Sequence, residues 1–94
     1  MNTIKTKSGF EFQVEEDAMD DLEVFEAIKK ASDPNLSAMD KTAAYFEAFR
    51  MTVGEEQDIA LREHLKAQNG KVRTSEYRKE VDDFFSNLNK PKKK

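Results

Sequence analysis

The sequence predicts a mainly α fold that carries a small N-terminal β-hairpin, and two observations predict it. Apolar and polar residues alternate with period two between Thr3 and Val14, on either side of Gly9, the pattern of a half-buried strand pair. From Asp17 onward the apolar residues fall at helical spacing, in four runs broken by Asp33-Pro34, Gly54 and Asn69-Gly70, all of which stop helices. Helices are expected at about 17–31, 38–53, 55–68 and 75–88. The chain has 94 residues, room for one core. The expected organisation is a single α-rich domain over 1–89 and a disordered basic tail at 90–94.

The hairpin register follows from its faces. A two-residue loop at Ser8-Gly9 sets Lys5 opposite Phe12 and wastes the alternation. A three-residue loop, Lys7-Ser8-Gly9, sets Ile4 opposite Phe12, Lys5 opposite Glu11 and Thr6 opposite Phe10. That arrangement sorts the faces and puts Gly9 where such loops need a positive φ. An isolated hairpin is marginal in water, so Ile4, Phe10 and Phe12 are expected to lie on helices.

Between Glu15 and Asp21, five of seven residues are acidic. Their spacing fits no calcium loop, which needs a central glycine and a distal glutamate. Acids gather at helix starts, where they face the positive end of the dipole, so helix one is expected from Asp17 to Ala31. Its stripe is Leu22, Phe25 and Ile28, flanked by Val24 and Ala31, and Lys29 and Lys30 close it. Pro34 ends it, because the residue before a proline avoids helical geometry. Ser37-Ala38-Met39-Asp40 has the form of a capping box. Helix two then shows Met39, Ala43, Phe46, Phe49 and Val53 on one face, widened by Tyr45 and Ala48. Helix three opens with Glu55, Glu56 and Asp58 and carries Ile59, Leu61 and Leu65. Thr74 or Ser75 can cap helix four, whose stripe of Tyr77, Val81, Phe84, Phe85 and Leu88 is the most regular in the chain.

Composition excludes several classes of function. Charged residues make up 37% and the net charge is −3, against the basic face of a dedicated nucleic-acid binder. There is no cysteine, hence no disulfide framework, thiol nucleophile or thiolate metal site. The start, MNTIKTKSGF, lacks the apolar core of a signal peptide, and no later run approaches the roughly 20 apolar residues of a membrane span. The expectation is a soluble intracellular protein without membrane or nucleic-acid partners. His64 is the only histidine and has no nucleophile or orienting partner at catalytic spacing. The three glycines act as punctuation, not as a phosphate loop. No catalytic residue, metal ligand or cofactor is expected, and the protein is not expected to be an enzyme.

Binding through apolar surface remains. Seven phenylalanines, two tyrosines and four methionines are a large complement for so short a chain. Phe84 and Phe85, about 100° apart on a helix, are the leading candidates for surplus, with Tyr45 and Phe49 second and Tyr77 on the same stripe as Phe84. An exposed aromatic pair on an amphipathic helix is a common route to a partner helix. On this reading Phe85→Asp weakens partner binding or self-association and leaves helicity intact.

The runs SGFEFQVEEDAMDDLEVFEAI (8–28) and VGEEQDIALREHLKAQNGKV (53–72), separated by the Asp33-Pro34 break, resemble the tail assembly chaperones of long-tailed bacteriophages, in particular those of Gram-positive hosts. The shared order is a short strand ending E-F-x-V, an acidic helix start, a G-E-E-Q helix followed by H-L, and a G-K-V turn. It spans roughly 5–85 and rests on order and spacing, not on a specific motif. Helix two departs from the pattern, being rich in Ala and Phe where leucines are expected.

The resemblance implies a non-enzymatic protein of the host bacterial cytoplasm, absent from the mature virion. Such a protein binds the tape measure protein, keeps it soluble and helps tail tube subunits assemble around it. It also implies a longer, frameshifted form of the chain, with Lys92-Lys93-Lys94 marking where an A-rich slippery site would lie. Self-association is a further expectation for a domain this small. The alternative is a small acidic adaptor or regulatory protein that binds a host or phage protein through an apolar helix face.

Overall fold

In the hairpin, β1 (Asn2–Lys5) and β2 (Glu11–Val14) pair antiparallel with Ile4 opposite Phe12 and Lys5 opposite Glu11. The Thr6 amide donates to the Phe10 carbonyl at 3.0 Å, and Gly9 takes φ +95°. The three-residue turn is therefore the one the face-sorting argument selects. Ile4, Phe12 and Val14 are buried on the inner face. These features come from a computed structural model that describes residues 2–88; the expected tail at 90–94 and the Lys92-Lys93-Lys94 site lie outside them.

Four helices follow: α1 (Leu22–Ala31), α2 (Ala38–Val53), α3 (Glu55–Asn69) and α4 (Thr74–Leu88). The chain is thus mainly α with a two-stranded hairpin. One boundary differs materially from expectation. Helix one begins at Leu22, not Asp17, because the preceding acids form turns, with Ala18 N–H bonded to Glu15 O and Asp20 N–H to Asp17 O. Asp21 is the cap, its carboxylate accepting from the Glu23 and Val24 amides at 2.8 and 3.2 Å. Ser37 caps α2 by accepting from the Asp40 amide at 3.1 Å. Gly54 alone joins α2 to α3. Its N–H closes α2 on Arg50 O at 2.8 Å and its carbonyl receives the Asp58 amide at 3.1 Å, at φ +88° and ψ 156°, a conformation open in practice only to glycine.

The main core joins β1, β2, α2, α3 and α4 through Ile4, Phe12, Val14, Phe49, Val53, Leu61, Leu65, Tyr77, Val81, Phe84 and Phe85. Helix α1 stands outside it and packs chiefly on α2, burying Val24 and Ala27. On α2 the buried residues are Ala44, Ala48, Phe49 and Val53; the last three lie on the expected face, which is shifted toward Ala44 and leaves Ala43 and Met39 exposed, Met39 by 81%. An Ala/Phe-rich helix suits this position: small side chains let a neighbouring helix approach, while the phenylalanines fill the core. On α3 the inward positions are Asp58, Leu61 and Leu65, and Ile59 is exposed.

Candidate interaction surface

The aromatic residues expected as surplus are mostly core. Phe49 and Phe84 are fully buried, and Tyr77 and Phe85 nearly so. Their rings meet edge to face: Phe49–Phe84 at 5.2 Å, Phe84–Phe85 at 5.3 Å, Phe12–Phe84 at 5.1 Å and Phe46–Tyr77 at 4.7 Å between centroids. Such pairs contribute beyond their buried area. The expectation that Phe49, Tyr77, Phe84 and Phe85 present a binding face is therefore corrected: the hairpin covers Phe84 through Phe12, Tyr77 and Phe85 pack on α2, and Phe49 is enclosed between α2 and α4. Tyr45 alone of the five is half-exposed. Its hydroxyl donates to Asp82 Oδ1 at 2.6 Å, and the Arg78 guanidinium lies 5.5 Å from its ring centroid. Burial and the Asp82 hydrogen bond push the Tyr45 phenol well above its ordinary range.

Carboxylates from α3 and α4 hold the rest of the fold together. Asp58 is buried, accepts from the Tyr77 hydroxyl and from Arg62 Nε at 3.0 Å. Burial first, then the bond to Asp58, raise the Tyr77 phenol. At the hairpin turn, Glu80 Oε1 accepts from Thr6 Oγ1 at 2.7 Å and Ser8 Oγ at 2.9 Å, and Asp83 Oδ2 accepts from the Lys7 amide at 2.6 Å. His64 Nε2 and Gln68 Nε2 donate to the Ser8 carbonyl at 3.0 and 3.2 Å. Gln68, Glu80 and Asp83 line a groove of about 600 Å³ together with Lys7 and Ser8, and their bonds to the turn latch the hairpin. His64 thus serves the turn. Gln57 clamps the outer edge of β2: its Oε1 accepts from the Gln13 amide at 2.7 Å and its Nε2 donates to the Gln13 carbonyl at 2.9 Å. Among the described residues, no group of three or more His, Cys, Asp or Glu side chains is placed to hold a metal ion.

Large apolar side chains are left to solvent at several places, Met39 and Met51 on α2, Ile59 on α3 and Val72 before α4 among them, and two lie one turn apart on α1. Leu22 is 71% and Phe25 60% exposed, and Phe25 is the one aromatic residue that joins no ring pair among the described residues. Two shallow depressions meet at these side chains. One, of about 640 Å³, also takes in Lys29 and Pro34; the other, of about 340 Å³, takes in Met19, Asp20 and Asp21. The sequence places Leu22 and Phe25 at the centre of the buried stripe. In the structure α1 packs on α2 through Val24, at the flank of that stripe, and Ala27 beyond it, and among the described residues Leu22 and Phe25 stay exposed. The stripe's breadth was the available signal, since one packed helix covers only part of so wide a face. Set against family models, curated proteins and solved structures, the chain finds no match.

Proposed function

We propose that the chain is a non-enzymatic assembly chaperone of the long-tailed phage type, which binds the tape measure protein, keeps it soluble and promotes assembly of the tail tube around it. The observation that carries this reading is the outward face of α1. It offers two large apolar side chains, Leu22 and Phe25, on a helix outside the main core, so a client can be held there without opening the fold. A groove or face of this kind suits the apolar side of an amphipathic client helix. The mildly acidic, charge-rich composition keeps such a complex in solution.

Co-expression with the tape measure protein tests the proposal. The wild-type chain is expected to co-purify with soluble tape measure protein, and Leu22→Asp with Phe25→Asp to lose it while retaining the circular dichroism of the wild type. A tape measure protein that stays aggregated beside the wild-type chain overturns the proposal and favours an adaptor with another target.

A further inference from the structure

Beside the exposed face of α1 lies a pocket of about 400 Å³ to which α1, α2 and α4 all contribute. Ile28 and Ala31 give it an apolar side, while Lys41 and Arg78 bring two positive charges and Asp82 one negative charge. Asp82 is already engaged, accepting from the Tyr45 hydroxyl at 2.6 Å and lying 4.0 Å from Arg78 Nε. Arg78 is held in place: its Nη1 donates to Thr42 Oγ1 at 3.3 Å and its guanidinium lies over the Tyr45 ring. Lys41 has no such support. It is half-buried, joins no ion pair among the described residues, and stands close to the N-terminus of α2, where the helix dipole disfavours a cation. A positive charge so placed is available to a negative group from outside.

The pocket adjoins the apolar face. At about 100° per residue, Leu22 and Ile28 flank Phe25 on the helix surface, about 60° to either side, and Ser32 borders both this pocket and the depression beside Phe25. On the Leu22 side the charges are mixed, Glu26 with Lys29 and Lys30, and Glu23 lies further round. On the Ile28 side lie Lys41 and Arg78, and the one carboxylate lining the pocket among the described residues is the engaged Asp82. An apolar face thus runs into a site that is short of negative charge.

We propose that this pocket seats an acidic side chain of the client. The segment recognised is then an amphipathic helix with a pair of large apolar residues and an aspartate or glutamate one to two turns away. The apolar pair lies on Leu22 and Phe25, and the carboxylate enters between Lys41 and Arg78. The spacing comes from α1 itself: from Phe25 to the level of Ile28 and Ser32 is about 5 to 10 Å along the axis, which a helix laid along α1 crosses in about three to seven residues. A guanidinium has five N–H donors, and Arg78 gives one of them to Thr42, so donors remain for a carboxylate. Charges at the edge of an interface act on association rate and choice of partner more than on affinity. The seat therefore selects among the client's apolar segments. It rests on the reading of α1 as the client surface and adds which kind of segment that surface takes.

Binding of the full chain to overlapping synthetic peptides that cover the tape measure protein, read by fluorescence anisotropy, tests the proposal. Peptides that bind are expected to carry an acid one to two turns from an apolar pair. Lys41→Glu is expected to weaken their binding about 3- to 10-fold with unchanged helicity, since a glutamate suits that end of α2, and Lys41→Gln is expected to fall between. Lys71→Glu, the same change of charge on an exposed residue just after α3, is expected to leave binding as it is. A peptide whose acid is changed to lysine is expected to prefer Lys41→Glu to the wild type. These differences are expected to shrink between about 0.1 M and 1 M salt, as the screening length falls from about 10 to about 3 Å. Bound peptides without such an acid, indifference to Lys41→Glu, or an equal loss with Lys71→Glu each overturn the acidic seat. If Leu22→Asp with Phe25→Asp still abolishes that binding, the proposed function stands without it. Absence of any bound peptide also overturns the seat, and a tape measure protein that stays aggregated beside the wild-type chain overturns the proposed function with it.

Discussion

Tyr77→Phe isolates one hydrogen bond in the centre of the protein. The ring's contacts survive the change: the edge-to-face packing on Phe46 at 4.7 Å and Phe49 at 5.8 Å, and the Arg62 guanidinium 5.2 Å from its centroid. Only the hydroxyl that donates to Asp58 is lost. Asp58 is 4% exposed, so water does not readily replace the donor. Hydrogen bonds to a charged group contribute about 1.5–3 kcal/mol. Arg62 still donates to the other carboxylate oxygen, which places the expected loss near the low end, about 2 kcal/mol. In a domain of this size each kcal/mol moves the melting temperature by about 4–8 °C, so a fall of about 8–16 °C is expected. Urea unfolding followed by circular dichroism should show a lower midpoint with an unchanged slope. Asp58→Ala should cost more, because it strands the buried Tyr77 hydroxyl as well. A Tyr77→Phe variant within about 0.5 kcal/mol of wild type, the range of ordinary surface substitutions, refutes the claim that this bond anchors α3 to α4.

Three further outcomes follow from the same packing. Phe85→Asp, expected from sequence to leave the fold intact, should instead unfold it, since a charge replaces a core ring whose truncation to alanine alone costs about 3–5 kcal/mol; native-like dichroism of that variant would contradict the core assignment. The only two tyrosines are Tyr45 and Tyr77, and both phenols are raised by burial and by hydrogen bonds to Asp82 and Asp58. Their folded pKa values exceed the unfolded value of about 10, so their contribution is complete below that pH and lost as pH rises beyond it. Ultraviolet titration should show tyrosinate appearing later in the native protein than in a urea-unfolded sample, and coincident curves would refute this. Gln57→Leu removes both partners of the Gln13 backbone. It should cost about 1 kcal/mol and speed exchange of the Gln13 amide relative to that of Phe12, and equal protection in both proteins would show the clamp to be idle.

Much of the architecture is readable from local chemistry. The hairpin register follows from face sorting plus one glycine, because a slip of one residue exchanges the two faces of a strand. Gly54 and Gly70 mark helix ends because positive φ is inexpensive only for glycine. The start of α1 is not readable: three aspartates able to cap, Asp17, Asp20 and Asp21, lie within five positions, and which one caps depends on how the chain travels from the sheet to the helix. The aromatic residues were misassigned for a related reason. Periodicity tells which residues of a helix share a face but not how many neighbours that face meets. Phe84 and Phe85 meet the hairpin, α2 and each other, whereas Phe25, on an equally convincing stripe, is exposed and joins no ring pair among the described residues. Asp58 could not be foreseen as an inward position, because its burial depends on Tyr77, 19 residues away in sequence.

The Gln57 clamp bears on how the protein behaves when crowded. A two-stranded sheet ordinarily presents two unsatisfied edges, and a stack of strands can lengthen only while each new member leaves another edge open. Here one edge is already occupied by a side-chain amide that imitates the missing strand. A second copy of the hairpin therefore cannot add its β1 to β2 at the Gln13 position, and copies that meet through their β1 edges leave only clamped β2 edges outward, so the stack stops at two. For a chain that keeps apolar surface in water and is proposed to meet aggregating clients, such a terminator separates stickiness from polymerisation.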